Sequence, residues 1–520
     1  MGGRASGRVG VAAAAFVFGL SAVAIGANRA SAAPVPKGTT VRAANATPVG
    51  HATGLGQALG ADGTIRAHSG SYDAKGYRMM LDRQGTPHFV KADAPAPTTT
   101  ASALSTAVTS ADASWSDSFG PPGAPNAGVV DAVAVSGNDV YIGGSFATLS
   151  ADALLPYNNV AVWDGHGWRS LGSGTANGTN GQVDAVAVMG NNVFFGGNFN
   201  SAGGQSAADI AEWNGTNWSA LGSGMTDTTT SGTPIVKALK VVGTTLYAGG
   251  SFDDAGGVAS PSLAAWNGTA WGAVGTGVLQ CTFFDVPNHC YGTPNDGTVD
   301  SLAVSSTGST LYVGGAFNFV GGQEYYGLAQ WDGTAWSGIG GFGAINNGSV
   351  GPVFGMAVDA GTGTLYVGGT FDHIGITSTH TGGVAAASVA AWNGTAWSAL
   401  GVGANNCSGC GNATVSTVAV RSGVVYVSGS FYGMGGDNAR QIGQWNGAAW
   451  TAVGPGLDAP PSALAATTGG LLAVGNFGNT ADSSVVLNKV GLWTGTAWQG
   501  YGLGITYGGR NAGSTSAVAA

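Results

Sequence analysis

Tryptophans that occur in pairs, five residues apart, recur seven times in the chain and limit its fold more than any other feature. The pairs are Trp163/Trp168, Trp213/Trp218, Trp266/Trp271, Trp331/Trp336, Trp392/Trp397, Trp445/Trp450 and Trp493/Trp498. A Gly-Gly-x-Phe element or a close variant precedes each pair, ending at Phe146, Phe199, Phe252, Phe317, Phe371, Phe431 and Phe477. Self-similarity at a period of about 50 residues indicates one structural unit that is used repeatedly.

The stretch from Val183 to Gly224 shows what one unit folds into. Its β-rich segments, 183–188, 193–199, 210–213 and 218–221, are short and are separated by Gly and Asn residues, including the hairpin signal Asn214-Gly215. Each unit is therefore predicted to be a four-stranded antiparallel meander. One such sheet cannot bury both of its faces, whereas seven packed radially can. We therefore predict an all-β fold, a seven-bladed β-propeller with a short N-terminal extension, and an open solenoid is the alternative.

The paired tryptophans are predicted to be packing residues between adjacent blades. A ligand site needs one or a few such positions, whereas this pair is repeated in all seven units. The remaining tryptophan, Trp115, lies in a segment that resembles a fourth strand without the three before it. We expect this strand to clasp the first repeat to the last one.

The ends of the chain predict export and a division into segments. Arg4 and Arg8 precede an apolar run, and Ala30-Ser31-Ala32 has the small-x-small pattern of a cleavage site. This is the pattern of a secretory signal peptide over residues 1–32, with an uncleaved membrane anchor as the alternative. Residues 33–91 form a small segment that contains a predicted hairpin around Gln84-Gly85, and residues 92–112 form an Ala/Pro/Thr/Ser-rich linker. The propeller then covers 113–508, and 509–520 is a disordered tail.

Composition narrows the set of partners. Only 8% of residues are charged and the net charge is −9, although the apolar share is 44%. Nucleic-acid binding depends on clustered Lys and Arg, so this class of function is excluded. No second apolar segment reaches the ~20 residues of a membrane span. We expect a secreted monomer with a neutral, hydrogen-bonding surface.

The repeats resemble the kelch-type propeller repeat of galactose-oxidase-like central domains. Tyr141-Ile142-Gly143-Gly144 followed by Trp163 and Trp168 fits that pattern, although Trp stands where the kelch repeat usually has Tyr. The phrase from Leu365 to Phe371, followed by the phrase from Trp392 to Trp397, is closer still to repeats of exported bacterial proteins and fungal cortical markers of cell polarity. The resemblance covers residues 115–504. It implies a propeller fold and says almost nothing about function.

Connection lengths predict which face of the disc carries function. The turns between strands one and two, and between three and four, are uniformly short, whereas the other two connections are long and unequal. The long connections include 147–159, 279–298, 340–350, 372–387 and 404–414. Binding residues are usually found on variable loops held by a rigid scaffold. The predicted binding residues on these loops are Phe283, Phe284, Tyr291, Tyr325, Tyr326, His373 and Tyr432.

The four cysteines lie in two of the long loops. Local spacing and an even number after export favour the disulfides Cys281–Cys290 and Cys407–Cys410. The Cys-x-x-Cys spacing also occurs in redox sites and in half of a zinc site. A 281–290 disulfide would hold aromatic residues on a short projecting turn.

Metal and enzyme chemistry remain as alternatives. Asp131, Asp184 and Asp300 share one position early in strand one and are candidate Ca²⁺ ligands. The same position holds Lys237, Phe354, Ser416 and Ser462 in the other units, which breaks the ring.

His373 and His380 share a loop with Asp372, and a copper radical oxidase would use such imidazoles together with tyrosines and a crosslinked cysteine. The favoured function is a binding or scaffold module without a cofactor, for an extracellular glycan or protein. The alternative is a secreted oxidase, lyase or hydrolase with its site at the mouth of the central channel.

Overall fold

The computed structural model describes residues 128–146, 157–165, 167–227, 232–281, 295–379, 381–405, 413–436 and 438–500, and the backbone of the short strands outside these ranges. The chain divides into two units, Met1–Ser118 and Phe119–Ala520. The predicted signal peptide, the linker, Trp115, His380, Cys407, Cys410 and the C-terminal tail lie outside the described residues. In the described part of the chain, no helix is long and apolar enough to cross a membrane.

The first unit contains the predicted hairpin. Tyr77–Leu81 pairs antiparallel with Pro87–Lys91, with Met79 opposite Phe89, so the hairpin around Gln84-Gly85 is confirmed. Thr53–Gly54 and Tyr72–Asp73 form a separate parallel pair.

The second unit is all-β in its described part, apart from the 3₁₀ turn Gly174–Ala176, and its main elements are antiparallel four-stranded sheets. We number these sheets 1 to 7 in chain order and call their strands A to D. Sheet 1 comprises Val129–Ser136, Asp139–Ser145, Val160–Trp163 and Trp168–Arg169. Sheet 2 comprises Gln182–Met189, Asn192–Asn198, Ile210–Trp213 and Trp218–Ala220. Sheet 3 comprises Ile235–Val242, Thr245–Ser251, Leu263–Trp266 and Trp271–Ala273.

The remaining four sheets follow the same A-B-C-D order. Sheet 4 comprises Thr298–Val304, Leu311–Ala316, Leu328–Trp331 and Trp336–Ser337. Sheet 5 comprises Val353–Val358, Leu365–Gly369, Val389–Trp392 and Trp397–Ala399. Sheet 6 comprises Thr414–Arg421, Val424–Ser430, Ile442–Trp445 and Trp450–Ala452. Sheet 7 comprises Pro461–Ala466, Leu471–Gly475, Val490–Trp493 and Trp498–Gly500.

The two tryptophans of each pair face each other across strands C and D. In sheet 2, for example, Trp213 lies opposite Trp218 with ring centroids 5.5 Å apart. The second tryptophan of sheets 2 to 7 also donates its indole N–H to a backbone carbonyl of the preceding sheet; Trp218 Nε1 is 2.7 Å from the oxygen of Leu171. The predicted role of the pairs in packing between sheets is therefore confirmed.

Hydrophobic clusters hold neighbouring sheets together. Val236 and Leu246 of sheet 3 pack with Phe194 and Ile210 of sheet 2 in one cluster. Another cluster joins the two ends of the series, because Val130 and Ile142 of sheet 1 pack with Leu472, Val474 and Val490 of sheet 7. Sheet 7 has its own strand D, and the clasping strand at Trp115, which lies outside the described residues, stays a prediction.

The described parts of several long connections form strands of their own, where the sequence predicted loops. These strands pair as Ser201–Ala202 with Gln205–Ser206, Met225–Thr226 with Asp254–Ala255 and then Val258–Ala259, and Ala404–Asn405 with Gly433–Met434. Two further small sheets have four strands each. In the first, the strands lie in the order Asn295–Asp296, Val278–Gln280, Phe319–Val320, Gln323–Glu324. In the second, they lie in the order Ser349–Val350, Ala344–Asn346, His373–Ile374, Val384–Ala385. Pairing satisfies backbone groups that would otherwise lose water against the sheets below.

Candidate functional site

A β-bulge interrupts strand A of every sheet close to its beginning. In sheet 1, Val130 pairs with Gly144 and Ala132 pairs with Gly143, so that Asp131 has no partner across the ladder. The residues left over in this way are Asp131, Asp184, Lys237, Asp300, Phe354, Ser416 and Ser462. Bulges often re-aim a side chain next to a functional site. The position that the sequence singled out for its acids is therefore the bulge position of all seven sheets.

Hydrogen bonds join several bulge residues into two groups, one around Gln182 and one between Lys237 and Asp300. Gln182 Nε2 donates to Asp184 Oδ1 at 2.7 Å and to Asp131 Oδ2 at 3.2 Å, which links sheets 1 and 2. Lys237 Nζ of sheet 3 lies 2.8 Å from Asp300 Oδ1 of sheet 4. Asp131 also accepts a hydrogen bond from Ser462 of sheet 7. We call this set the polar arc: Asp131, Gln182, Asp184, Lys237, Asp300 and Ser462.

Burial controls the charge state of the acids in the polar arc. Burial, and next to it the negative charge of Asp184, raises the pKa of Asp131 to about 6, although hydrogen bonds from Ser462 and Gln182 act in the opposite direction. Burial also raises the pKa of Asp184 and of Asp300, and in both cases Lys237 offsets part of the effect. A bound group that donates hydrogen bonds or carries positive charge would favour the ionised forms.

A cavity of about 510 Å³ opens beside the polar arc, between sheets 2 and 3. It is lined by Gly181, Gln182, Asp184, Asn198, Ile235 and Lys237. The lining residues lie at the beginning of strand A and the end of strand B. The cavity is therefore on the side of the sheets that carries the long B–C and D–A connections. We call this side the loop face and the other side the turn face.

The donor set at the bulges differs from a calcium or copper site. Lys237 occupies the bulge position between Asp184 and Asp300 and already pairs with Asp300. Within the residues that the structure describes, no group of three or more His, Cys, Asp or Glu side chains is placed to hold a metal ion.

The predicted binding residues lie on the connections of different sheets. Tyr432, in sheet 6, is exposed over 57% of its surface. Tyr325, in sheet 4, stacks on Phe342 with ring centroids 5.8 Å apart and packs against the core between sheets 3 and 4. Tyr326 beside it is half-buried, and its backbone N–H donates to the carbonyl of Phe342. Of these three tyrosines, Tyr432 presents the most surface to a ligand.

His373 lies in one of the small sheets, paired with Ile345 and Ala385. Its Nδ1 is 3.0 Å from Asp372 Oδ1, while Asp372 Oδ2 accepts the backbone N–H of Asn347 at 2.9 Å. Burial opposes the charged form of Asp372, but these two hydrogen-bond donors together hold its pKa below the usual value. The carboxylate thus positions His373 at the surface of the loop face.

The loop around Cys281 forms a hairpin of its own. Phe283–Asp285 pairs with His289–Tyr291, with Phe283 opposite Tyr291 and Phe284 opposite Cys290. Cys281 is buried and is not a free thiol. The side chains of Phe283, Phe284, Cys290 and Tyr291 lie outside the described residues, so their binding role and the 281–290 disulfide stay predictions, as does the 407–410 disulfide.

The two faces differ in what they present. Among the described residues, the exposed large hydrophobic side chains are Val258, Val402, Tyr432 and Val486, all on loop-face connections. On the turn face, each C–D turn begins with a side chain whose oxygen accepts the turn's own backbone N–H groups, as Asn267 does for Thr269 and Ala270. The loop face therefore offers both polar and apolar groups for binding.

No protein-family model matches the chain, and no curated protein is similar to it. Among solved structures, the computationally designed Ika8 protein is 14% identical, covering 72% of this chain and 99% of its own, with a TM-score of 0.37. PorZ, an essential bacterial surface component of the type-IX secretion system of Porphyromonas gingivalis, is 13% identical over 68% of this chain and 46% of its own, at a TM-score of 0.38. This chain thus spans about half the length of PorZ. The β-propeller domain of Myceliophteria thermophila Cps50 (Swd1) is 11% identical, covering 68% of this chain and 95% of its own, with a TM-score of 0.38.

Proposed function

We propose that the chain is an exported, kelch-like propeller of seven blades that works as a binding or scaffold module through its loop face. The single observation that carries this proposal is the polar arc, in which bulges from five sheets and one amide side chain gather carboxylate, amide, ammonium and hydroxyl groups beside a cavity. Exposed Tyr432 and three exposed valines on the same face support it.

The ligand proposed is an extracellular glycan, and an extracellular protein is the second choice. Carboxylate and amide oxygens accept hydrogen bonds from sugar hydroxyls, and the carboxylates make the stronger, charge-assisted bonds. A glycan that donates hydrogen bonds to Asp184 and Asp131 would relieve the cost of keeping these buried acids ionised.

A glycan array tests the proposal directly. We expect the mature chain, starting at Ala33, to retain one class of glycan, and Asp184→Asn to weaken that binding about tenfold, because a hydrogen bond to a charged group is worth about 1.5–3 kcal/mol. The matched control is Asp332→Asn, which removes a carboxylate from a C–D turn on the turn face. Asparagine is tolerated at this position of the turn, because Asn267 occupies it in sheet 3 and accepts the same backbone hydrogen bonds. If the unmodified chain and Asp184→Asn bind the glycan equally well, the polar arc is not the binding site. A chain that retains no glycan but captures extracellular protein would favour the second choice.

One observation favours a hydrolase as a second candidate function. Asp131, with its pKa raised to about 6, is bridged through Gln182 to Asp184, whose pKa is also raised by burial, and a pair of carboxyl groups is what general acid–base chemistry needs. On the array, a hydrolase would release sugar from the retained glycan, and Asp131→Asn would stop the release.

A further inference from the structure

One position of strand A, three residues after the bulge residue, holds alanine in six sheets and lysine in the remaining one. The alanines are Ala134, Ala187, Ala303, Ala357, Ala419 and Ala465, and the lysine is Lys240 of sheet 3. Strand A of each sheet contacts strand A of its neighbours, and a short side chain suits this close approach. Packing between the sheets therefore accounts for the six alanines but gives no reason for the lysine.

The register of sheet 3 places Lys240 on the face that packs against sheet 4. Ala238, two residues earlier on the same face, lies opposite Gly249, where an added Cβ would overlap Val299 of sheet 4. Tyr247 lies directly opposite Lys240 and packs in the core between sheets 3 and 4. The aliphatic stem of the lysine thus lies at the contact between two sheets, and the residue is half-buried.

The amine of Lys240 has neither a hydrogen-bond acceptor nor a carboxylate partner in the part of the chain that the structure describes. The other two described lysines are both paired, because Lys237 Nζ donates to Asp300 and Lys489 Nζ donates to Asn476. Burial lowers the pKa of Lys240, and no acid offsets this effect. Loss of water around an amine favours its uncharged form, which is the nucleophile.

We propose that Lys240 is a reactive amine that captures small aldehydes, including the open-chain form of a reducing sugar, as an imine. Nζ adds to the carbonyl carbon, and both amine hydrogens then leave with the carbonyl oxygen as one molecule of water. A C=N bond between Nζ and the former carbonyl carbon remains, so the step needs neither an oxidant nor a reductant. The half-buried position keeps the amine open to small molecules.

The repeat supplies both the test variant and the reference amine. Lys240→Ala is expected to fold like the unmodified chain, because alanine occupies this position in the other six sheets. Lys237 lies on the same strand, but its ammonium is 2.8 Å from Asp300 Oδ1. The two lysines therefore differ chiefly in whether a carboxylate is paired with the amine.

Competitive labelling of the full chain with acetaldehyde and sodium cyanoborohydride at pH 7 tests the proposal. Cyanoborohydride reduces each imine to a stable ethylated lysine, and mass spectrometry of the peptides measures the labelling rate of each lysine separately. We expect Lys240 to be labelled about tenfold or more faster than Lys237, because only Lys237 is paired with a carboxylate. Unfolding the chain in urea should abolish this difference.

In Lys240→Ala, the fast label should disappear while Lys237 keeps its rate. Labelling of Lys240 no faster than that of Lys237 in the folded chain, or an excess that persists in urea, would overturn the proposal. The comparison within the unmodified chain decides the question even if Lys240→Ala fails to fold. The labelling uses no glycan, so its result is independent of the proposed function.

Discussion

The repeat fixes the role of single residues, and at one repeat position Asp209 takes that role at a cost in the free energy of folding above neutral pH. It stands just before strand C of sheet 2 with φ of 63°, and its Oδ1 accepts the backbone N–H of Phe199 at 3.0 Å. In sheet 1, Asn159 holds the same place at φ of 70° and accepts the N–H of Phe146 at 2.8 Å. Burial raises the pKa of Asp209 to about 7. The sequence shows an acid at this position but not the burial that makes it unfavourable.

The substitution Asp209→Asn is expected to stabilise the protein above neutral pH. The folded carboxyl keeps its proton to about pH 7, whereas an ordinary Asp in the unfolded chain loses it near pH 3.8, so the folded state binds more protons in between. The free energy of unfolding of the unmodified chain therefore falls as pH rises from about 4 to about 7. Asparagine removes this dependence and should add about 1–3 kcal/mol at pH 8 and nothing below pH 4. Urea unfolding of both chains at pH 8 and below pH 4 measures this difference in the free energy of unfolding. An equal increase at both pH values would contradict the raised pKa of Asp209.

At the scale of elements, the Gly-Gly-x-Phe phrase predicted strand B from sequence, and the structure explains its first glycine. The Cβ that alanine would add at Gly249 would overlap Cγ1 of Val299 in the next sheet, and Gly196 meets Val236 in the same way. In sheet 6, Ser428 replaces this glycine and donates to the carbonyl of Pro461 at 3.1 Å. These contacts join residues 33 to 50 positions apart, so no local pattern reveals them.

We expect Gly249→Ala to lower the free energy of unfolding by about 1–3 kcal/mol, because the added methyl group overpacks the contact between sheets 3 and 4. Gly272→Ala in strand D of the same sheet is the control, since the nearest atom to its Cβ is 3.9 Å away. Val299→Ala should recover part of the loss in the Gly249→Ala chain. Loss of equal size at Gly249 and Gly272 would show that the close approach is not the cause.

The bulges of strand A and the small sheets of the long connections could not be predicted from the sequence. Asp131, Asp184 and Asp300 shared a repeat position in the sequence, but a bulge depends on how many residues two strands place opposite each other, which only pairing shows. The bridging role of Gln182 follows from that geometry, because its two acceptors belong to sheets 1 and 2. The long connections looked like loops because strands of two or three residues are too short for periodicity to indicate.

At the scale of the whole molecule, the contacts that join the sheets are separate from the loop face, where we propose that binding takes place. The tryptophan pairs recur in every sheet, and their indole-to-carbonyl hydrogen bonds tie each of sheets 2 to 7 to the sheet before it. The loop face varies from sheet to sheet, from the hairpin that contains Phe283 to the exposed Tyr432. Repeat spacing predicted the sheets and the face that varies, whereas which side chains meet on that face depends on contacts between distant repeats.

Blocking one face at a time tests the central claim, that recognition takes place on the loop face, most directly. A cysteine introduced at Tyr432 on the loop face, or at Asn267 on the turn face, is coupled to a polyethylene glycol chain, and binding to the glycan retained on the array is measured for each. We predict that the polymer at position 432 abolishes binding and that the polymer at position 267 leaves it unchanged. Binding that survives the polymer at 432 and is lost with the polymer at 267 would contradict the claim.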